Sequence, residues 1–355
     1  MTGVVGSSGA GTAGRPAHTR PGALHRAARF EDAVHARIER RVTGRGWVPA
    51  ITAYSGYGAP GWVRVMARVL MTRPAPRPGR AVELVRGWRS FLTVPLADTE
   101  VVLRAGGVEH RVRTDRGGYV DVRVECDLPV GWGRVMLSTE GGGDVEAPVL
   151  VVGPDVTTGL VSDIDDTVMV TTLPRAMLAA WNTFVLNEHA RRPVPGMAVL
   201  YERWAQANPA APVIYLSTGA WNVAPTLTRF LSRHLYPRGP LLLTDWGPTR
   251  EGWFRSGQNH KRASLERLAR EFPNVRWLLV GDDGQHDPDI YSEFARGHRE
   301  SVAAVVIRHL SPTEQVLASG LPVPMDQAKS VPGTAWLQGT DGAALAVRLK
   351  HAGLL

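Results

Sequence analysis

From residue 156 onward, short apolar runs alternate with stretches whose apolar residues recur every three or four positions. The runs at 158–162, 212–217, 241–243, 276–280 and 302–307 read as buried strands. The stretches 174–187, 196–207, 222–235, 260–271 and 288–297 read as helices. This alternation predicts an α/β fold with a parallel sheet, because parallel neighbours need a long return connection that a helix supplies. Ligands in such a sheet bind beyond the carboxyl ends of the strands. A short helix over Ala343–Lys350 is expected to pack on this unit, which is read as spanning 151–355.

Upstream the period changes to two. Val63–Leu70 nearly alternates, and similar segments begin at Val82, Glu100, His110, Tyr119 and Gly133. Glycine pairs or triplets at 106–107, 117–118 and 141–143 separate them. Short strands with such turns predict an all-β, sandwich-like domain over 47–150. The proline-rich link 74–78 suits only a loop or a sheet edge. Residues 24–46 predict a basic amphipathic helix: Ala27, Phe30, Val34, Ile38 and Val42 lie at helical spacing among Arg26, Arg29, Arg37, Arg40 and Arg41. Such a helix either lies on an anionic membrane or packs on the next domain. Residues 1–23, rich in Gly, Ala, Ser, Thr, Arg and Pro, read as a disordered basic segment.

The net charge of +8 favours anionic partners: phospholipid, phosphorylated substrate or nucleic acid. No nucleic-acid-binding module is recognisable, so nucleic acid ranks last. Cys126 is the only cysteine, which excludes a disulfide framework and a cysteine-based zinc cluster. No apolar run is long enough for a signal peptide or a membrane span. The expectation is a cytoplasmic protein, with peripheral contact to an anionic membrane as an option.

The chemistry concentrates at the predicted strand ends. Residues 160–167 deliver Asp163 and Asp165 two positions apart, followed by Thr167. Paired carboxylates repel unless a cation neutralises them, and Mg2+ binds through a few carboxylates plus phosphate oxygens. A plain Asp-rich turn is the competing reading. A calcium-binding EF-hand loop is excluded, because Val168 and Pro174 stand where Gly and Glu are required. The run 213–219 ends in Ser217 and Thr218, which offer hydroxyls to a phosphoryl oxygen. Lys261, near the start of a predicted helix, offers positive charge. The run 277–283 ends in Gly281, Asp282 and Asp283, with Asp287 beyond.

In this order the motifs resemble the haloacid dehalogenase-like (HAD) superfamily of aspartate-nucleophile phosphohydrolases. Ser162-Asp-Ile-Asp-Asp-Thr-Val168, Ser217-Thr-Gly-Ala-Trp-Asn222, His260-Lys261 and Val280-Gly-Asp-Asp-Gly-Gln-His-Asp287 are similar to one branch. That branch is the catalytic domain of the actin-patch-associated phosphatidate phosphatases and their bacterial relatives, and the likeness covers roughly 155–310. The resemblance implies a HAD-like Rossmannoid sheet with helices on both faces. It implies Asp163 as nucleophile, Asp165 as acid and base, Ser217 and Lys261 on the phosphoryl oxygens, and Thr167 orienting the aspartate loop. It also implies Mg2+ held by Asp163, Asp282 and the Asp165 backbone carbonyl, with Asp287 or Asp283 in support. Gly219 and Asp283 depart from the branch's usual serines.

The substrate expected from this likeness is a lipid phosphate, phosphatidate first, released as diacylglycerol and phosphate. The segments 168–195 and 219–259 are short for a cap, which leaves a site open to a large substrate. Within the second segment, Arg250 and Arg255 are candidates for contacting a phosphate head group, beside Trp246, Trp253 and Phe254. A phosphatase of soluble sugar or nucleotide phosphates is the alternative. A non-catalytic module binding membrane or nucleic acid is the third reading.

Overall fold

The computed structural model describes residues 44–73, 94–171, 192–244, 250–284, 286–311, 314–315 and 331–355, with backbone alone for 250–256. The predicted segment 1–23, the helix 24–46 as far as residue 43, the strand at Val82 and the helix 174–187 lie outside the described residues. So do the side chains of Trp246, Arg250, Trp253, Phe254 and Arg255.

Eight strands form the first sheet: β1 (Val48–Ala59), β2 (Trp62–Thr72), β3 (Val94–Pro95), β4 (Glu100–Ala105), β5 (Val108–Arg113), β6 (Tyr119–Glu125), β7 (Gly131–Thr139) and β8 (Val145–Val151). Their order is β3-β2-β1-β8-β7-β4-β5, with β6 also on β2. All pairs are antiparallel except β1 with β8. The sheet curls until β5 meets β6, where a His110 ring nitrogen lies 2.8 Å from the Glu125 carbonyl. Gly106 and Gly107 close the β4–β5 hairpin with φ of 55° and 78°. A two-residue hairpin turn of this hand needs positive φ at both positions, which glycine takes without strain. Trp62 is buried, whereas Trp132 is partly exposed with the Arg238 guanidinium 3.8 Å from its ring.

The second sheet contains β9 (Thr158–Asp163), β12 (Val213–Ala220), β13 (Leu241–Thr244), β14 (Arg276–Asp282), β15 (Val302–Arg308) and β16 (Ala335–Gly339). A short pair, β10 (Met169–Val170) with β11 (Arg192–Pro193), follows β9. The helices are α1 (Met197–Ala207), α2 (Ala224–Arg233), α3 (Arg250–Glu271), α4 (Asp287–Gly297) and α5 (Gly342–His351). Every pair in this sheet is parallel, in the order β13-β12-β9-β14-β15-β16. Counted along the chain from β9, that order is 3-2-1-4-5-6. The chain winds outward from β9 in one direction, then returns to build the other side from β14. The reversal between β9 and β14 opens a crevice at their carboxyl ends, the place where such sheets bind ligands.

Within the parallel sheet and its helices, two features exceed the sequence expectation. The helix α3 starts at Arg250 instead of near 260, because residues 250–259 carry no regular apolar stripe to announce a helix. The strand β16 was not predicted; five residues including a Gln give little periodic signal. It adds a sixth strand, and α5 packs against it and against α1.

The carboxyl end of α3 ties the two sheets together. Glu271 accepts from the Tyr57 hydroxyl at 2.7 Å and from Arg64 at 2.8 Å. Asp121 of β6 pairs with Arg64 at 2.6 Å and Arg267 at 2.8 Å. Phe272 packs among the rings of Tyr57, Trp62 and Trp277. The helix that carries Lys261 is therefore anchored by charge-assisted bonds that are partly shielded from water, stronger than neutral ones.

Candidate active site

Strand register brings the predicted residues together. Asp163 ends β9 opposite Leu216, so Ser217 stands one step beyond it on β12. On the other side Val280 lies opposite Ser162, which places Gly281 beside Asp163 and Asp282 one step beyond. The loop after β9 turns tightly. Val168 N and Met169 N both donate to the Ile164 carbonyl, and Asp166 adopts a φ of 56°. Asp tolerates that left-handed conformation better than most residues.

Asp163, Asp165, Ser217, Lys261, Asp282 and Asp287 are all buried. The Lys261 ammonium lies 2.6 Å from Asp163 Oδ1 and 2.5 Å from Asp287 Oδ1. The Asp163, Asp282 and Asp287 carboxylates each offer an oxygen within 4.8 Å of the others. Ser217 Oγ donates to Asp165 Oδ2 at 3.0 Å and accepts from Gly219 N. Its hydroxyl thus supports Asp165 in this arrangement. The Asp165 carboxylate is turned to Ser217 and, at 3.3 Å, to the Thr171 hydroxyl, and is not part of the carboxylate triad.

The electrostatics are unbalanced. Burial pushes Asp163 well above the usual carboxylate range; Lys261 offsets this in part, while Asp287 and Asp165 add to it. Asp282 is raised by burial and by the charges of Asp287, Asp163 and Asp166, against a smaller opposing effect of Lys261. Burial alone would lower Lys261, but Asp163 and Asp287 outweigh it and hold the ammonium above its ordinary value. With all three carboxylates ionised against one ammonium, two negative charges would be uncompensated. Asp282 Oδ2 and Asp287 Oδ2 are buried with no hydrogen-bond partner among the described residues. Oxygen donors and excess negative charge suit a hard divalent cation.

Gly281 makes this approach feasible. A Cβ there would collide with the Asp287 carboxylate and come within 2.8 Å of the Tyr291 ring. Gly281→Ala is expected to cost about 1–3 kcal/mol from overpacking and to displace Asp287. Urea melts with and without Mg2+ check this: the variant should show a smaller Mg2+-induced stabilisation than the parent. An unchanged Mg2+ increment would mean that Asp287 does not contribute.

Other predicted residues fall as follows. Thr167 is buried, and its hydroxyl has no partner among the described residues. The aspartate loop is held instead by backbone bonds and by Arg308, whose Nη1 donates to the Asp166 carbonyl at 2.7 Å. Thr218 is half-buried against Gly257 of α3. Asp283 turns to His309 Nδ1 at 2.7 Å and to Leu310 N at 2.8 Å, so Asp287 and not Asp283 joins the triad.

Asp166 and Arg308 were not singled out from the sequence. Arg308 is buried, ends β15 and also pairs with Glu314 at 2.8 Å. Asp166 is pushed up to about 7, by burial first, with Asp165 and Glu314 adding to it against the Thr171 N–H and Arg308. A charged residue closing the apolar run 302–307 was the available signal, the same one that marks Asp163 and Asp282.

A buried carboxylate–lysine cluster in the crevice of a parallel sheet defines a centre suited to metal ions and anionic oxygens. Residues 158–309 match the family described as phosphatidate phosphatase APP1, catalytic domain, and so bear out the resemblance read from the motifs. The match is to a domain described as the catalytic part of a phosphatase. Phosphatidate phosphatase APP1 of Saccharomyces cerevisiae is 25% identical over 236 residues, which cover 62% of this chain and 39% of that protein. An uncharacterized protein of Schizosaccharomyces pombe is 26% identical over 150 residues, covering 42% of this chain and 24% of its own. The chain therefore matches well under half the length of these relatives. A carbohydrate acetylesterase structure from Xanthomonas citri, 11% identical, covers 84% of this chain and 72% of its own with a TM-score of 0.28, too loose to indicate a shared fold. Among the described residues no helix is long and apolar enough to cross a membrane.

Proposed function

We propose that this protein is a Mg2+-dependent phosphomonoester hydrolase with a HAD-like catalytic domain, acting on phosphatidate to give diacylglycerol and phosphate. The observation that carries this reading is the Lys261 ammonium held between Asp163 and Asp287 beside Asp282. An Asp163 carboxylate oxygen attacks phosphorus, and the phosphorus–oxygen bond to the alcohol breaks. Asp165, in its protonated form, donates its proton to the departing alcohol. Water then attacks phosphorus of the aspartyl-phosphate and gives a proton to Asp165. Phosphate leaves and both residues return to their starting states. Lys261 faces the non-bridging oxygens with fixed positive charge, and Ser217 keeps Asp165 aligned. Asp163, Asp282 and Asp287 would hold the cation, with the Asp165 carbonyl added by the family resemblance. When bound, Mg2+ screens the repulsion between carboxylates and phosphoryl oxygens.

The lipid preference rests on the family match and on the basic character of the chain. On sequence grounds, the basic segment 24–46 is proposed for peripheral attachment at an anionic membrane, and Thr218, Arg250 and Arg255 for contact with the substrate phosphate. Metal binding is tested without turnover. Mg2+ at 100 times its dissociation constant should stabilise the fold by about 2.7 kcal/mol, and Asp282→Asn should remove most of that increment. No Mg2+-dependent shift in the parent protein would overturn the metal assignment. Phosphate release abolished by EDTA and restored by Mg2+ tests the activity itself.

A further inference from the structure

The middle of the aspartate loop is held by a side chain from outside it. Asp166 adopts a left-handed φ of 56°, a conformation that costs free energy and persists where the surroundings fix it. Its N–H donates to the Met169 carbonyl at 2.8 Å. Its carboxylate accepts from Thr171 N at 2.7 Å, and its carbonyl accepts from Arg308 Nη1 at 2.7 Å. The two ends of the loop have separate supports. Ser162 Oγ donates to the Asp163 carbonyl at 2.6 Å, and the Tyr236 hydroxyl donates to the Val168 carbonyl at 2.9 Å.

Arg308 is itself immobilised. Its Nη2 donates to both Glu314 carboxylate oxygens, at 2.8 and 2.9 Å, and its Nε to the Thr340 carbonyl at 3.4 Å. Glu314 is fixed by its own stretch of chain. Its carboxylate accepts from Ser311 N at 2.8 Å, and Ser311 Oγ accepts from Glu314 N at 3.3 Å, the reciprocal bonds of a capping box. Burial alone would raise Glu314, but the bonds from Arg308 and Ser311 N outweigh it and hold the carboxyl below its ordinary value. A planar guanidinium can bridge a carbonyl and a carboxylate in one fixed geometry, which the point charge of a lysine cannot reproduce. The effect reaches Asp165 by two routes. Asp166 follows Asp165 directly in the chain, so fixing its carbonyl limits how the loop can turn. Asp166 also holds Thr171, whose hydroxyl lies 3.3 Å from Asp165 Oδ1. Asp163, by contrast, ends a paired strand and meets Lys261 at 2.6 Å, supports that do not involve Arg308.

We propose that Arg308 is a positioning residue for Asp165, and that Glu314 fixes Arg308 for this task. The proposal rests on the phosphatase reading, in which Asp165 gives a proton to the departing alcohol. A misplacement of about 1 Å can cost about 100-fold in rate. Here the cost falls on leaving groups that need the proton. An alkyl alcohol needs it; p-nitrophenolate is a weak base and departs without it.

The test compares kcat/KM of the full chain, in Mg2+, for two alkyl esters and one aryl ester: phosphatidate in mixed micelles, glycerol phosphate and p-nitrophenyl phosphate. This ratio covers the steps up to the aspartyl-phosphate, so its later hydrolysis does not enter. Arg308→Lys should lower kcat/KM for the alkyl esters about 10–100-fold, and for p-nitrophenyl phosphate less than about threefold. Glu314→Gln, a milder change that still suits a capping box, should show the same order of losses at smaller size. Melting temperatures report whether each variant is folded. Equal losses on both ester types in a folded variant would show that Arg308 only supports the fold, and would overturn the proposal. Unchanged kcat/KM for the alkyl esters in both variants would overturn it as well. A parent protein that releases phosphate from neither alkyl ester would overturn the phosphatase reading, and the proposal with it.

Discussion

Asp163→Asn is expected to lower phosphate release by about 10⁴-fold or more, the scale on which enzymes lose rate when a nucleophile is removed. The amide cannot form an acyl-phosphate, and the other groups cannot replace it, because Asp165 is engaged with Ser217. The stability response separates this chemical loss from a folding defect. Asp163 has a raised pKa in the folded chain, by burial first. Its ionised form therefore destabilises the metal-free fold once pH exceeds the unfolded carboxyl value of about 3.9. A neutral Asn avoids that penalty, and Lys261 keeps Asp287 as a partner. In EDTA the variant should melt no lower than the parent. In Mg2+ the parent should gain more, because the variant lacks one anionic ligand. Retained turnover would reject Asp163 as nucleophile; a large drop in melting temperature under both conditions would show that it acts mainly in folding.

Lys261→Met should have the largest effect on stability. Removing one partner of a buried ion pair typically costs about 3–5 kcal/mol, since the remaining charge is left uncompensated. Here Asp163 and Asp287 would both lose their cation, with Asp282 close by. The sign with pH follows from the shifts. Lys261 is held above its ordinary value, so its contribution is fully present below the unfolded lysine value of about 10.4 and fades as pH rises through the higher folded one. For the variant, the penalty comes from ionised carboxylates, so it should grow as pH rises from the acid range toward neutrality. Mg2+ should recover part of it. Urea unfolding at several pH values, with and without Mg2+, measures all three effects. A cost below about 1 kcal/mol, the scale of an exposed pair, would show that Lys261 does not hold the carboxylates together.

Much of this site is legible in the sequence because strand ends are legible. Asp163, Ser217 and Asp282 each close an apolar run, and parallel register makes neighbouring ends coincide. Lys261 and Asp287 stand out by residue type, and the family motifs give them roles; spacing along the chain does not show that α3 and α4 converge on one ion pair. The choice between Asp283 and Asp287 depended on packing. Gly281 lets Asp287 approach, while Asp283 is drawn off by His309 and Leu310 N. The Ser217 hydroxyl meets Asp165, a side-chain rotamer that no residue pattern encodes. Arg308 has the same strand-end signature, but a lone cation closing a strand does not by itself mark the aspartate loop it holds. In the first sheet, alternation specifies which residues face inward. It does not specify curl, since any sheet with one buried face shows the same period.

The proposed lipid phosphatase works through Asp163. The most direct measurement is phosphate release, in Mg2+, from phosphatidate in mixed micelles beside lysophosphatidate, sugar phosphates, nucleotides and p-nitrophenyl phosphate, with Asp163→Asn as control. Release from phosphatidate well above the soluble esters, absent in the variant, is the predicted result. Release confined to soluble esters would contradict the lipid assignment, and no release from any of them would contradict the phosphatase reading itself.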